Sequence, residues 1–294
     1  MTQIIHSLNE IAADFDAVFC DLWGCLHNGA RPFPAAVAAL QAYRAKGGRV
    51  ILLTNAPRPK LDVAAHLHGM GVPADAYDDI VTSGQAAQFA MLSGAVGQRV
   101  YHIGADKDEG FFRHFDDSMA KLAASAAIER VPMDQASGII CTGLADDRSE
   151  TPDDYRATLL KAKTLGLTML CANPDITVHV AGQLLYCAGA LAAAYEQMGG
   201  KTLYFGKPHP PIYDLARAKL AQMGQDDARV LCIGDGIATD IAGAMGEGLD
   251  ALYITSGVDA AQFGANPAAP DPAALTAFLA QKQANPRFAM GFLG

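Results

Sequence analysis

Four places in the 294-residue chain set a reactive side chain where an apolar run stops. Asp21 follows Val18-Phe19-Cys20 and precedes Gly24. Thr54 follows Val50-Ile51-Leu52-Leu53 and opens the segment Asn55-Ala56-Pro57-Arg58. Lys207 stands in Gly206-Lys207-Pro208-His209-Pro210, and Asp235 in Ile233-Gly234-Asp235-Gly236, with Asp240 further along the same loop. A carboxylate at such a point is able to attack an electrophile, and a hydroxyl beside the free N–H groups of a helix start is able to hold an anion. A lone lysine offsets negative charge, and a pair of acids in one loop suits a hard cation such as Mg²⁺. Each has a plainer reading when taken alone. Asp21 caps a turn, Thr54 or Asn55 caps a helix, and Asp235 or Asp240 caps the helix from Ile241.

These positions need a scaffold, and the apolar pattern supplies one. Short apolar runs at Ala17–Leu22, Arg49–Thr54, Asp79–Thr82, Arg99–Ile103, Gly138–Cys141, Leu167–Cys171, Thr202–Phe205, Arg229–Ile233 and Ala251–Thr255 read as strands. Helical spacing at Pro34–Ala45, Thr151–Leu165 and Pro211–Met223 fills gaps between them. Alternating strands and helices predict an α/β fold with a parallel sheet, where ligands bind outside the carboxyl ends of strands. Turn-rich passages near Gly84 and at Asn173–Gly182 mark the edges of an inserted domain.

A hydrophobic content of 51% supports a large core, and a net charge of −9 with no Lys/Arg run argues against nucleic acid or an anionic membrane as partner. The amino terminus lacks the basic start of a secretory signal. Val180–Tyr195, the longest weakly charged stretch, is too short to span a bilayer and reads as a buried helix. The six cysteines lack CxxC spacing and sit mostly in apolar runs, as reduced core residues of a cytoplasmic protein do.

The order Asp, Thr, Lys, then Asp with a second Asp in the same loop resembles the four motifs of the haloacid-dehalogenase-like superfamily. Thr82-Ser83-Gly84, Asn173-Pro174-Asp175 and Gly206-Lys207-Pro208 resemble its branch with a large inserted α/β cap, the N-acetylglucosamine-phosphate phosphatase-like and nitrophenylphosphatase-like proteins. The resemblance implies a Rossmann-like core at residues 1–83 and 183–294 and a smaller α/β cap at 84–182. It also implies a Mg²⁺-dependent phosphohydrolase for a small phosphorylated metabolite, such as a sugar phosphate, acting through an aspartyl phosphate on Asp21. Thr54 and the backbone N–H groups of Asn55 and Ala56 would hold the phosphoryl oxygens, and Lys207 would offset charge. Asp21, the Trp23 carbonyl, Asp235 and Asp240 would serve the metal. Arg58, Asn173, Asp175 and His27 are the further substrate-contact candidates. Cap surfaces mediate dimers in some relatives, so a homodimer is among the expectations.

Trp23 departs from the pattern, which has a second aspartate there as general acid and base. An indole N–H donates only and does not titrate near neutral pH. His27 and His209 are the stand-ins to weigh, against a structural place for the first and a helix-start place for the second. The same gap leaves two alternatives open: a hydrolase of C–halogen or P–C bonds, and a phosphate-ligand binder with weak turnover. Trp23 also fits as a packing residue that walls off a pocket.

Overall fold

The computed structural model describes residues 2–180 and 183–294. The chain divides into two compact units, and each has its own sheet.

The first unit comprises Met1–Thr54, His66–Val81 and Tyr213–Gly294. Its strands are β1 (Gln3–Ile4), β2 (Ala17–Cys20), β3 (Arg49–Thr54) and β4 (Asp79–Thr82), then β12 (Val230–Gly234), β13 (Asp250–Ile254) and β14 (Phe288–Met290). They form one sheet in the order β1-β14-β13-β12-β2-β3-β4. The β12 pairings with β2 and β13, and the β2 pairing with β3, are parallel. Every residue of β2 and β12 is buried, which is why both read as unbroken apolar runs and not as alternating ones. Helix α1 (Pro34–Ala45) starts with proline in its first turn and buries Ala36, Val37, Leu40 and Tyr43 at helical spacing.

Helix α2 (Lys60–Met70) leads back to β4, and α3 (Ser83–Leu92) lies in the second unit, which comprises Asn55–Ala65 and Thr82–Ile212. There β5 (Arg99–Ile103), β6 (Glu129–Arg130), β7 (Gly138–Cys141), β8 (Thr168–Cys171) and β11 (Lys201–Tyr204) form a parallel sheet ordered β11-β8-β7-β5-β6. Side chains of β7 and β8 alternate between two cores. Ile139, Cys141, Met169 and Cys171 meet Leu159 of α5 (Arg156–Thr164) and Leu191 and Tyr195 of α6 (Ala188–Gln197). Ile140 and Leu170 meet Ala87 and Met91 of α3, together with Phe111 and Met119 just before α4 (Ala120–Ser125). After α7 (Pro210–Gln222) the chain rejoins the first sheet, where α8 (Ala242–Gly246) and α9 (Pro272–Gln281) flank β13 in sequence.

Two expectations change. The insertion was expected to end at 182, but β11 pairs with β8 and the second unit runs on to Ile212. The turn-rich passage read as an exit instead leads into a hairpin of β9 (Thr177–Val180) and β10 (Gln183–Tyr186). That hairpin also shortens the expected Val180–Tyr195 helix, which begins only at Ala188 as α6; Ala181 and Gly182 lie outside the described residues. All six cysteines are buried thiols outside any disulfide, and no helix among the described residues is long and apolar enough to cross a membrane.

Candidate active site

Parallel register brings two acids to one edge of the first sheet. Cys20 lies opposite Ile233, and the Asp21 N–H donates to the Ile233 carbonyl at 2.8 Å. Asp21 and Asp235 therefore leave adjacent strands at the same level, and both are buried. With the Cys25 sulfur they form a group whose candidate ligand atoms all lie within 4.8 Å of one another.

This donor set fits a hard divalent cation. Two carboxylates buried close together repel unless a cation lies nearby, and carboxylate oxygen is the donor Mg²⁺ prefers. The thiol contributes little to such an ion. Burial pushes Cys25 well above its ordinary pKa, and the charges of Asp235 and Asp21 push it the same way, so it stays protonated. Asp240 takes a different post. Its Oδ2 accepts the Gly236 N–H at 3.1 Å and the Thr239 hydroxyl at 3.3 Å, within the π-helical turn Ile237–Ile241. The side chain lies against Gly234, where a Cβ would stand 2.1 Å from its Cγ. It thus shapes the loop that carries Asp235.

After Asp21 the chain curls tightly: Leu26 and His27 both donate N–H to the Leu22 carbonyl, and Gly24 donates to that of His27. Gly24 has φ +79°, and a Cβ there would lie 2.1 Å from Asp235 Oδ2. Only glycine allows both that conformation and that approach. The Trp23 indole lies over Gly29, where a Cβ would be 2.1 Å from the ring, and meets the His27 ring edge-on at 5.7 Å. His27 is buried, and its Nδ1 accepts the Gly29 N–H at 3.0 Å. Its neutral ring therefore carries the proton on Nε2. Trp23, His27 and Gly29 form a packed wall beside Asp21 in sequence. Thr54 ends β3 and is buried.

The second unit holds a polar knot. Asn55 Oδ1 accepts the Lys207 N–H at 2.7 Å, while its Nδ2 donates to the Lys207 carbonyl at 3.0 Å and to Asp175 Oδ1 at 2.8 Å. Lys207 is buried and precedes a cis peptide to Pro208. Gly206 packs so closely that a Cβ would meet Asn55 Oδ1, Pro174 Cδ and Ser83 Oγ within 2.7 Å. Asn173 Oδ1 accepts the Asp175 N–H at 3.0 Å, the Asx turn that is its plainer reading. The Ala56 carbonyl accepts the Gly84 N–H at 3.0 Å and the Arg58 carbonyl accepts the Thr82 hydroxyl at 2.8 Å; the Arg58 side chain is exposed. His209 stands at the start of α7 and stacks on Tyr204 with ring centroids 4.7 Å apart.

The structure thus unites Asp21 with Asp235, and Asn55 with Asp175 and Lys207. It turns one Asp240 oxygen onto its own loop and sets the His27 ring edge-on against Trp23. Sequence reasoning missed the turn Thr255–Val258, whose Val258 N–H donates to Asp235 Oδ2 at 3.1 Å. The signal was there, since Thr255-Ser256-Gly257 follows an apolar strand as the four motifs do, but it offers no ionisable group.

Open parallel sheets bind ligands outside the carboxyl ends of their strands, where these two acids lie. Residues 18–116 match the family model described as haloacid dehalogenase-like hydrolase, and residues 204–278 match one described as HAD-hydrolase-like. The Escherichia coli K12 ribonucleotide monophosphatase NagD is 30% identical over 82% of this chain and 88% of its own length. The Mycobacterium tuberculosis D-glycerol 3-phosphate phosphatase is 29% identical over 86% of this chain and 67% of its own. A haloacid dehalogenase-like hydrolase from Brucella suis 1330 superposes with a TM-score of 0.83 at 40% identity, covering 99% of this chain and 100% of that one. The chain belongs to the haloacid dehalogenase-like hydrolase family.

Proposed function

We propose that the protein is a magnesium-dependent phosphohydrolase for a small phosphorylated metabolite, with Asp21 as nucleophile. The observation that carries this reading is the buried Asp21–Asp235 pair at adjacent strand ends. An Asp21 oxygen attacks phosphorus, the ester oxygen leaves with the bonding pair, and water then cleaves the aspartyl phosphate to return carboxylate and inorganic phosphate. Bound Mg²⁺, held by Asp21, Asp235 and the Trp23 carbonyl, would supply a Lewis acid against the phosphoryl charge. Asp240 fixes the loop that bears Asp235. Thr54 with the Asn55 and Ala56 N–H groups receives the transferring oxygens, and Lys207 offsets their charge.

The mycobacterial relative is named for a polyol phosphate and was solved with magnesium, and the Escherichia coli one is named for nucleotide monophosphates. Those names support a phosphate monoester, and a sugar or polyol phosphate is the substrate class proposed. The second unit is the proposed cap, with Arg58, Asn173, Asp175 and His27 as secondary substrate-side candidates. A cytoplasmic, homodimeric protein without nucleic-acid or membrane partners completes the reading.

The test is turnover of a panel of phosphate esters and phosphonates with Mg²⁺, by the parent and by Asp21→Asn. The parent is expected to release phosphate from monoesters and lose the activity with EDTA, while Asp21→Asn is inactive. Cleavage confined to phosphonates would favour the P–C reading that Trp23 keeps open. Binding of phosphorylated ligands without turnover at any pH would leave a binding protein.

A further inference from the structure

The acid pair is assembled by more than the four motif segments. Asp235 is flanked by two glycine backbones from different loops. A Cβ on Gly24 would lie 2.1 Å from its Oδ2, and one on Gly257 would lie 1.9 Å from Oδ2 and 2.3 Å from the Asp235 Cβ. Beside that contact, the Val258 N–H donates to the same Oδ2 at 3.1 Å. Backbone pressed this near a carboxylate fixes its rotamer, and a hydrogen bond to one oxygen sets the direction of the other.

The turn that does this is itself held. Thr255 and Ser256 donate their N–H groups to Met290 and Gly291 at 2.9 and 3.1 Å, and the Thr255 hydroxyl donates to the Met290 carbonyl. On its far side the buried Tyr253 hydroxyl donates to Asp259 Oδ2 at 3.1 Å. Tyr253 and Phe278 both pack edge-on against Phe263. The Val258 N–H is therefore delivered from a braced element.

We propose that the turn Thr255–Asp259 is a positioning element for the metal centre, with Gly257 and the Val258 N–H fixing Asp235 in its Mg²⁺-binding orientation. The proposal rests on the phosphohydrolase reading above, but its readout is metal affinity and not turnover. Outer partners of metal ligands are commonly worth about 10 to 100-fold in affinity.

Mg²⁺ alone is titrated calorimetrically into the full chain, with the melting midpoint in EDTA as the control for folding. Gly257→Ala is expected to weaken Mg²⁺ binding by about tenfold or more, in the range set by outer partners of metal ligands, while its EDTA midpoint shows a folded chain. Gly246→Ala, where an added Cβ meets nothing within 4 Å, is expected to leave the affinity as it was. Should Gly257→Ala fail to fold, Tyr253→Phe decides, since it frees the turn without adding bulk; a loss of about threefold is expected, short of the full effect of an outer partner. A folded Gly257→Ala that binds Mg²⁺ as the parent does overturns the proposal, as does an unchanged Tyr253→Phe in its place. A parent that binds no Mg²⁺ overturns the phosphohydrolase reading and this proposal with it.

Discussion

The carboxamide of Asn55 brackets the backbone of Lys207, accepting its N–H at 2.7 Å and donating to its carbonyl at 3.0 Å. One side chain thus satisfies both polar groups of a buried residue 152 positions away in sequence. Asn55→Ala would leave those groups and Asp175 without these partners, at about 1–3 kcal/mol for each buried group that stays unsatisfied. If Lys207 offsets phosphoryl charge, kcat should fall by more than the change in KM. Combining Asn55→Ala with Lys207→Met should then cost little beyond the lysine change alone. Additive losses in that double-mutant cycle would separate the clamp from the lysine's chemistry.

Trp23 is the only tryptophan of the chain, so its emission reports one environment. Gly29 has φ +86°, and a Cβ there would overlap the indole. Gly29→Ala must shift the ring and strain the turn, at about 1–2 kcal/mol for the left-handed backbone alone. The expected outcome is a red-shifted, more quenchable emission together with a lower melting temperature. Emission identical to the parent would show that the ring does not depend on the Gly29 contact.

Much of the fold was legible because it is written in burial. Strands β2 and β12 are apolar throughout and β3 is apolar between Arg49 and Thr54, and α1 carries proline at its start and buried residues at regular spacing. The short strands β1, β6 and β14 were not found, since two or three residues hold too little pattern. Neither was the β9–β10 hairpin, whose exposed Leu184 and Tyr186 blur the apolar face. The continuation of the second sheet through β11 is a pairing between distant segments, which local pattern does not encode. At the site, residue types with one chemical use were readable from spacing. The side-chain role of Asn55 and the reach of Val258 were not, because both depend on backbone groups that every residue carries.

Leaving-group dependence tests the place of Trp23 in catalysis. The indole N–H does not titrate near neutral pH, and with its Nδ1 accepting from Gly29 the neutral His27 ring keeps only a weakly acidic Nε2–H, so neither is a ready proton source for a departing alkoxide. Aryl phosphates should therefore react much faster than alkyl phosphates of similar size. Trp23→Asp should raise alkyl turnover selectively, by up to about 10²–10⁴-fold if the new carboxyl reaches the leaving oxygen. Equal rates on aryl and alkyl esters in the parent would point to an acid from elsewhere in the chain.

Away from the site, Asp78 gives the fold a pH dependence whose sign follows from its partners. Its carboxylate takes both ends of the Arg44 guanidinium at 2.9 and 2.8 Å, Arg49 at 3.1 Å and the Val50 N–H at 2.8 Å. Burial pushes its pKa up, but the hydrogen bonds from Arg44 and Val50 and the charge of Arg44 outweigh that and hold it below the ordinary value. A carboxyl lowered in the folded state stabilises the fold above its unfolded pKa, and the contribution is lost as pH falls through the folded one. Asp78→Asn should thus cost about 2 kcal/mol near neutral pH, in the range for a charged hydrogen-bonded group. The difference should shrink as the pH is lowered below about 4, where the unfolded carboxyl of the parent takes up its proton. Urea unfolding of both proteins at pH 7 and in steps down to pH 3 measures it. A gap of constant size across that range would mean that the carboxylate charge is not what holds α1, β3 and the approach to β4 together.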